Sequence, residues 1–385
     1  MRRFCSDSWV ALGEDTIHKL RFNSPAGGLF PALKDCYWWI TECNLPHADL
    51  FLSQNLKKIH ISMSLLEEPE NLHKILPTIA LAISELPAST LQHLRVDTGR
   101  GVPWAHLKDS LSSVVLRCGP SLTEFSSQIP LSDAAVGHLI HLPYLNTWHV
   151  EGLPPSYSPS SFPLDFPPLV KFVLGEGAAR GWLSMLKRLE AHVSPAQGTA
   201  PLSKTKESLK YLKITQLTSL IVDVPLASSI RMFRNLVDLD ISTFPNEGED
   251  QCTFKLNNED VAGLAMSLPQ LESLLLGYPC DKNTCVTTVA CLLQISVHCI
   301  KLQKLGIHFS TTNIVDEFKS LSEDSRFREL RSLPRCPLQR LELHRISLVI
   351  NELEYGSVVN GMISIFPSLE LLMGFGMVYW ALEAR

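Results

Sequence analysis

Two histidines are the first residues in this sequence whose spacing could support chemistry. His138 and His141 lie three apart in a stretch with helical periodicity, so both imidazoles could reach one metal ion. A zinc site needs further ligands, and the sequence offers none at a suitable spacing from this pair. We therefore expect a surface or partly buried pair of histidines and no metal.

Four cysteines close together in the second half raise the same question. Cys280, Cys285, Cys291 and Cys299 could also be read as zinc ligands. Cys291 and Cys299 fall within or just beyond an apolar helical stretch, so we expect their thiols to pack in the core. The ten cysteines of the chain fall at irregular intervals without a Cys-x-x-Cys pair, which predicts reduced thiols and no disulfide framework.

Catalytic motifs are missing from the sequence. It has no Gly-x-Ser-x-Gly elbow, no glycine-rich phosphate loop and no His-Glu-x-x-His pair. We therefore predict that the protein is not an enzyme and uses no cofactor. The alternative is a catalytic site assembled on the scaffold from distant residues, which activity on a small substrate would reveal.

Composition and charge limit the remaining function classes. Hydrophobic residues make up 45% of the 385 residues and charged residues 19%, which suits a folded chain with a large core. The formal net charge of -5 lacks the basic excess of a nucleic-acid binder. The sequence begins without a signal-peptide pattern, and no segment is long and uncharged enough to span a bilayer. We expect a cytoplasmic or nuclear protein, or one found in both, that binds neither nucleic acid nor membrane.

A repeated apolar pattern runs through most of the chain. A leucine is followed by two variable residues, a large apolar residue, one variable residue and another apolar residue. The full or partial matches are Leu33/Cys36/Trp38, Leu56/Ile59/Ile61, Leu91/Leu94/Val96, Leu122/Phe125, Leu145/Trp148/Val150, Leu169/Phe172/Leu174, Leu209/Leu212/Ile214, Leu236/Leu239/Ile241, Leu271/Leu274/Leu276, Leu302/Leu305/Ile307, Leu338/Leu341/Leu343 and Leu369/Leu372. The last two apolar positions alternate as in a strand, so each match predicts one strand with a buried face.

Stretches with helical spacing lie between these strands. Ser132, Asn258 and Thr284 precede three of them, and Trp182 opens another apolar stripe. Proline stops the chain from continuing as a helix, and it precedes four of the strands, at Pro143, Pro167, Pro269 and Pro367. The alternation predicts an α/β fold: an irregular leucine-rich-repeat solenoid with a curved parallel sheet on its concave side and helices on its convex side.

Two polar stretches interrupt the repeats. Residues 153–168 contain six prolines and four serines, which predicts an extended surface loop, and residues 194–206 are also polar. We therefore predict a first solenoid part at 1–152, a middle segment at 153–206 with one strand-helix unit, and a second solenoid part at 207–385. The alternative is that both stretches are loops of a continuous repeat array.

The concave face is the best candidate for a binding surface, because it displays the residues between the buried apolar ones. These candidates are Lys58, His60, His93, Arg95 and His149 in the first half, and Asp238, Asp240, Lys304, His308, Arg340, Glu342 and His344 in the second. Basic groups at both ends flank an acidic pair, which suits a protein partner of mixed charge or one with an acidic patch. The alternative is that these are ordinary solvated charges.

Three consecutive aromatic residues add to this surface. If Trp38 lies in the core, Tyr37 and Trp39 must point to the other face and line the concave surface, where aromatic side chains make good interface anchors. Capping helices near the N-terminus could cover them instead.

Several short passages carry a family resemblance. They are LFPAL at 29–33, LFLSQNL at 50–56, AMSLPQLESL at 265–274, HCIKLQKLGIHF at 298–309, CPLQRLEL at 336–343 and IFPSLE at 365–370. In these passages the chain resembles the F-box and leucine-rich-repeat proteins of mushroom-forming (basidiomycete) fungi. The resemblance implies a substrate-recognition subunit of an SCF-type ubiquitin ligase, in which an F-box docks on the Skp adaptor and the repeats hold the target.

The expected F-box itself is not recognisable. Its Leu-Pro-x-Glu pattern, followed by a helical apolar run, matches nothing before Leu29. Either the gene model is truncated or wrongly started, or this member has lost the adaptor contact. The alternative function is a leucine-rich-repeat interaction scaffold with no link to ubiquitin.

Overall fold

A computed structural model describes residues 3–5, 19, 22, 30–40, 45–50, 52–63, 72–98, 106–150, 169–174, 207–216, 221–243, 253–278, 286–307, 314–323, 335–343, 352–374 and 380–381. The chain divides into two compact units, Met1–Gly181 and Trp182–Arg385, called here the N-terminal unit and the C-terminal unit. In both units parallel strands alternate with helices, which confirms the predicted α/β solenoid of leucine-rich-repeat type.

Seven described strands form the sheet of the N-terminal unit. They are β1 (Arg3–Cys5), β2 (Asp35–Trp39), β3 (Lys58–Ser62), β4 (His93–Asp97), β5 (Glu124–Ser127), β6 (Thr147–Val150) and β7 (Lys171–Leu174). Each strand pairs in parallel with the next one along the chain, and equivalent residues of successive repeats face each other, as Ile59 faces Leu94.

Helices return the chain between several of these strands. They are α1 (Leu72–Ser84), α2 (Lys108–Arg117) and α3 (Asp133–Ile140), with 3-10 turns at Leu45–Leu50 and Ala88–Thr90. α3 begins where the sequence predicts, because the Ser132 hydroxyl accepts a hydrogen bond from the Ala135 N–H at 3.3 Å. It ends at Ile140, so Pro143 lies in the turn before β6, as predicted.

The C-terminal unit repeats the same plan. Its strands are β8 (Tyr211–Gln216), β9 (Ile221–Val222), β10 (Asp238–Thr243), β11 (Thr253–Phe254), β12 (Ser273–Tyr278), β13 (Lys304–Ile307), β14 (Arg340–Leu343), β15 (Leu371–Gly374) and β16 (Trp380–Ala381). β8, β10, β12, β13, β14 and β15 are parallel in that order, and β16 joins β15 antiparallel. β9 and β11 form a separate parallel pair.

Five described helices belong to the C-terminal unit. They are α4 (Val224–Arg231), α5 (Asn258–Ser267), α6 (Ala290–His298), α7 (Ile314–Glu323) and α8 (Glu352–Ile365). The sequence places Asn258 before α5, whereas the helix begins at Asn258 and Asn257 caps it through a reciprocal pair of bonds with Asp260. No described helix of either unit is long and apolar enough to span a bilayer.

A repeated backbone contact fixes the register of successive strands. The carbonyl of the residue just before a strand accepts two N–H groups from the next repeat, so Lys57 O accepts from Gln92 at 2.7 Å and from His93 at 3.0 Å. The same forked contact is made by the carbonyls of Lys34, Gln92, Thr123, Asn146, Lys210, Val237, Glu272 and Gln303. The carbonyl of Gln339 accepts from Glu370 alone among the described residues. Within each unit these contacts tie the successive repeats named here to one another.

Polar side chains just before the repeat leucine add a second tie. Thr90 Oγ1 donates to the Leu56 carbonyl and Ser121 Oγ to the Leu91 carbonyl, each at 3.0 Å. Asn55 Nδ2 donates to Pro31 O at 2.9 Å in the same way. These side chains help to satisfy backbone carbonyls at the turns.

All twelve strands predicted from the repeat pattern are present. Their apolar residues are buried wherever the structure describes the side chains, and Trp38, Phe125 and Trp148 are among the largest. The centroids of the Trp148 and Phe172 rings are 5.6 Å apart. The pattern did not indicate β1, β9, β11 or β16, which are only two or three residues long. The expected helix at Trp182 and most of the predicted segment 153–206 lie outside the described residues, so the predicted domain limits stay a prediction.

Candidate functional site

Strand alternation separates each sheet into a buried face and a second face. We call this second face, which carries the residues between the buried apolar ones, the open face. In the N-terminal unit it carries Asp35, Tyr37, Trp39, Lys58, His60, Ser62, His93, Arg95, Asp97, Glu124, Ser126, Thr147, His149, Lys171 and Val173. The register aligns these residues in rows across the strands, so residues far apart in sequence become neighbours.

Two aromatic residues of β2, Tyr37 and Trp39, lie at one end of this face. Trp38 is 0% exposed and belongs to the core, whereas Tyr37 is 44% exposed. Tyr37 and Trp39 therefore lie on the open face, one of the two arrangements that the sequence left possible. The ring of Tyr37 meets that of His60 edge to face, with centroids 4.1 Å apart.

His60 is held by a carboxylate from the neighbouring strand. Its Nε2 lies 2.6 Å from Asp97 Oδ2, and Arg95 Nε donates to both carboxylate oxygens of Asp97, at 3.0 and 2.8 Å. Burial raises the pKa of Asp97, but the hydrogen bonds from His60 and Arg95 outweigh it and hold this pKa below its usual value. Asp97 thus stays ionised and fixes two of the predicted site residues.

Two further histidines of this face also have cross-strand partners. His93 Nδ1 lies 2.9 Å from Glu124 Oε2, and His149 Nδ1 lies 3.1 Å from Ser126 Oγ. All three histidines predicted for this half are therefore oriented by the strand beside them. Polar contacts of this kind hold side chains in one geometry, which lowers the entropy cost of any contact made to them.

The open face of the C-terminal unit is organised by ion pairs. Lys213 Nζ lies 2.7 Å from Asp240 Oδ2. Glu342, with a side chain only 8% exposed, lies between Arg340 Nε at 2.8 Å and Lys304 Nζ at 3.4 Å. The Arg340 contact is an ion pair without hydrogen-bond alignment. These pairs neutralise the charges locally.

Asp238 differs electrostatically from its neighbours on this face. Burial raises the pKa of its carboxyl, and the nearby charge of Asp240 raises it further, although a hydrogen bond from Ser273 and the charges of Lys304 and Lys213 oppose the change. The apolar side chain of Leu275 packs directly against Gly306 on the neighbouring strand. A Cβ at Gly306 would lie 2.5 Å from Leu275 Cδ2, so a larger residue there would displace this side chain.

The predicted site residues are thus grouped on two surfaces. One carries Tyr37, Trp39, Lys58, His60, His93, Arg95 and His149, and the other Asp238, Asp240, Lys304, Arg340 and Glu342, while His308 and His344 lie outside the described residues. The sequence pattern did not single out the partners that position them, namely Asp97, Glu124, Ser126 and Lys213. The same alternation could have placed these four on the open face, but only the strand register shows which residue each one contacts.

The candidate metal ligands make other contacts. His138 Nε2 lies 2.9 Å from the Cys118 carbonyl and His141 Nδ1 lies 2.7 Å from the Gly137 carbonyl. Cys291 and Cys299 are buried, as predicted, whereas Cys280 and Cys285 lie outside the described residues. Within the described part of the chain, no group of histidine, cysteine or acidic side chains is arranged to hold a metal ion.

Buried thiols are unreactive rather than poised for chemistry. Burial raises the pKa values of Cys118, Cys299 and Cys336 to about 12 in each case. Such thiols stay protonated and behave as small apolar groups.

A scan of protein-family models and a search of curated proteins gave no match for this chain.

Proposed function

We propose that the chain is a protein-binding repeat domain whose partner lies on the open faces of its parallel sheets. The observation that carries this proposal is the in-register row Tyr37, His60, Arg95, Ser126 and His149, which crosses five strands of the N-terminal unit. It combines an exposed aromatic ring with an exposed guanidinium, and both groups are enriched among residues that dominate interface energies.

The mixture of charges favours a protein over a nucleic acid as the partner. Asp97 and Glu124 lie among the basic residues of the N-terminal open face, and Asp238, Asp240 and Glu342 among those of the C-terminal one. These carboxylates interrupt the continuous basic surface that a phosphate backbone needs, whereas a protein surface can offer charges of both signs.

Peptide selection on the purified chain tests this proposal. A random peptide library is panned on the wild type, and each recovered clone is measured on two open-face variants, Tyr37→Ala/Lys58→Ala and Lys304→Ala. Lys108→Ala is the matched control, because Lys108 begins α2 and lies off both sheets.

We expect most clones to lose about tenfold or more in affinity on one of the open-face variants and to keep their affinity on the control. Clones that bind all variants equally would place the binding surface elsewhere, and a selection that enriches no clone would also contradict the proposal.

We further propose that this domain recognises targets for an SCF-type ubiquitin ligase. The support for this step is the resemblance of the repeat passages to fungal F-box proteins, and the open faces would hold the target. The test is a pull-down with purified Skp adaptor, using this chain and a form extended by any upstream exon.

Binding of the adaptor by the extended form would support the ligase role. If neither form binds, the link to ubiquitin fails and an interaction scaffold without it is the better description. This outcome would not contradict the proposed protein-binding function, since the peptide selection does not depend on the adaptor.

A further inference from the structure

We infer that the open face of the N-terminal unit binds an acidic segment of its partner, with carboxylates seated between Lys58 and Arg95. This inference rests on the proposed protein-binding function and adds the chemical class of the bound segment. It depends on which hydrogen-bonding groups of this face are already occupied within the chain.

The carboxylates near Arg95 are occupied. Both oxygens of Asp97 accept hydrogen bonds, Oδ1 from Arg95 and Oδ2 from Arg95 and His60. Glu124 Oε2 faces His93 at 2.9 Å. An incoming cation would have to compete with these contacts, which are charge-assisted and therefore costly to break.

The cations of the same face keep donors available. Arg95 uses only its Nε toward Asp97, and within the described residues its two terminal amino groups have no partner. Lys58 and Lys171 are exposed and form no ion pair with any other described residue. Arg95, Lys58 and Lys171 thus have donors left for a ligand, which favours one rich in acceptors.

The two donors lie close enough to share a ligand. Lys58 pairs with His93 and His60 with Arg95 in the register of β3 and β4. Neighbouring strands lie about 4.8 Å apart and alternate residues about 6.6 Å apart, so the Cα atoms of Lys58 and Arg95 are about 8 Å apart. Both side chains are long enough to converge on one carboxylate, with Tyr37 beside them as an aromatic contact.

On the open face of the C-terminal unit the described lysines are paired, so the terminal amino groups of Arg340 are the main donors left over. Lys213 and Lys304 already pair with carboxylates. Asp240 Oδ1 is a buried oxygen that lacks a hydrogen-bond partner among the described residues. The preference for acidic segments is therefore assigned to the N-terminal unit alone.

Fluorescence anisotropy on the full chain tests the inference with synthetic peptides. One labelled peptide alternates glutamate with small residues, and a second carries glutamine at each glutamate position. Both are titrated with the wild type, with Lys58→Glu and with Arg95→Gln. Lys108→Glu makes the same charge change as Lys58→Glu but lies on α2.

We expect the glutamate peptide to bind the wild type about tenfold tighter than the glutamine peptide. Lys58→Glu should remove this preference, while Lys108→Glu should keep it. Lys58 has no ion pair to lose among the described residues, so its variant should stay folded, and a thermal melt checks this.

Equal binding of the two peptides, or a preference that survives in both Lys58→Glu and Arg95→Gln, would overturn the inference. The peptide selection separates this failure from that of the proposed function. Clones that need the N-terminal open face but carry no excess of acidic residues would refute the acidic preference and leave protein binding in place.

Discussion

His60 and Asp97 are joined across two neighbouring strands by a 2.6 Å contact between the imidazole Nε2 and the carboxylate Oδ2. Asp97 follows the last buried residue of β4, and in the register of the sheet it lies opposite Ser62 rather than His60. The contact is therefore diagonal and links the middle of β3 to the end of β4. The same histidine ring lies edge to face with the ring of Tyr37.

Replacement of Asp97 by asparagine should destabilise the chain at neutral pH by about 1 kcal/mol, because the hydrogen bonds from His60 and Arg95 would lose their ionised acceptor. The pKa of Asp97 is lower in the folded state than its ordinary 3.8, so this stability is present above pH 3.8 and is lost as the pH falls through the folded-state pKa. Urea denaturation over a pH series measures it. A cost that stays constant down to acid pH, or equals that of the exposed Glu85→Gln control, would contradict this assignment.

The corresponding substitution at Asp238 should change the free energy of unfolding in the opposite direction. Burial raises the pKa of Asp238, so its ionised form is less favourable in the folded chain than in the unfolded one. Asp238→Asn should stabilise the chain at neutral pH by up to about 1 kcal/mol, and the gain should vanish below pH 3.8, where the wild-type carboxyl is protonated in both states. The same denaturation series measures this gain. A loss of stability at neutral pH would show that the hydrogen bond with Ser273 outweighs burial.

Gly277 near the end of β12 should not tolerate a side chain. Its φ of 69° lies in the left-handed region, and a Cβ would lie 2.6 Å from Cδ2 of the buried Phe254 ring. Gly277→Ala should therefore cost about 2–4 kcal/mol, from backbone strain and overpacking. Gly356→Ala is the control, because an added Cβ on this helical residue of α8 meets nothing within 4 Å. It should stabilise the chain by about 0.5–1 kcal/mol, and equal effects at the two glycines would refute this reasoning.

Substitutions at two adjacent aromatic residues of β2 should affect folding stability and peptide binding separately. Trp38 is fully buried, so Trp38→Ala should cost about 3–5 kcal/mol in the free energy of unfolding. Tyr37 contacts His60 on the open face, and Tyr37→Ala should cost about 1 kcal/mol or less while weakening peptide binding. Chemical denaturation and the anisotropy titration report the two effects separately. A Tyr37→Ala variant that unfolds as readily as Trp38→Ala would make Tyr37 a core residue.

The strands could be predicted from local sequence because burial imposes a short period. Each repeat places Leu, two variable residues and two alternating apolar residues in one order, so Leu56, Ile59 and Ile61 indicate a strand without knowledge of any contact. The position of Ser132 likewise indicates where α3 begins. The one-residue error at α5 arose because Asn257 and Asn258 are both good caps, and the reciprocal bonds between Asn257 and Asp260 decide between them.

The sequence alone determined the repeat, the α/β fold and which side chains share the open face, because these properties depend on the alternation of apolar residues along the chain. Only the tertiary structure decided that Asp97 holds His60, that Glu124 faces His93 and that Lys58 has no ion pair among the described residues. The physical reason is that such contacts depend on the register between strands about 30 residues apart in sequence. Register comes from the packing of whole repeats, and periodicity within one repeat does not contain it.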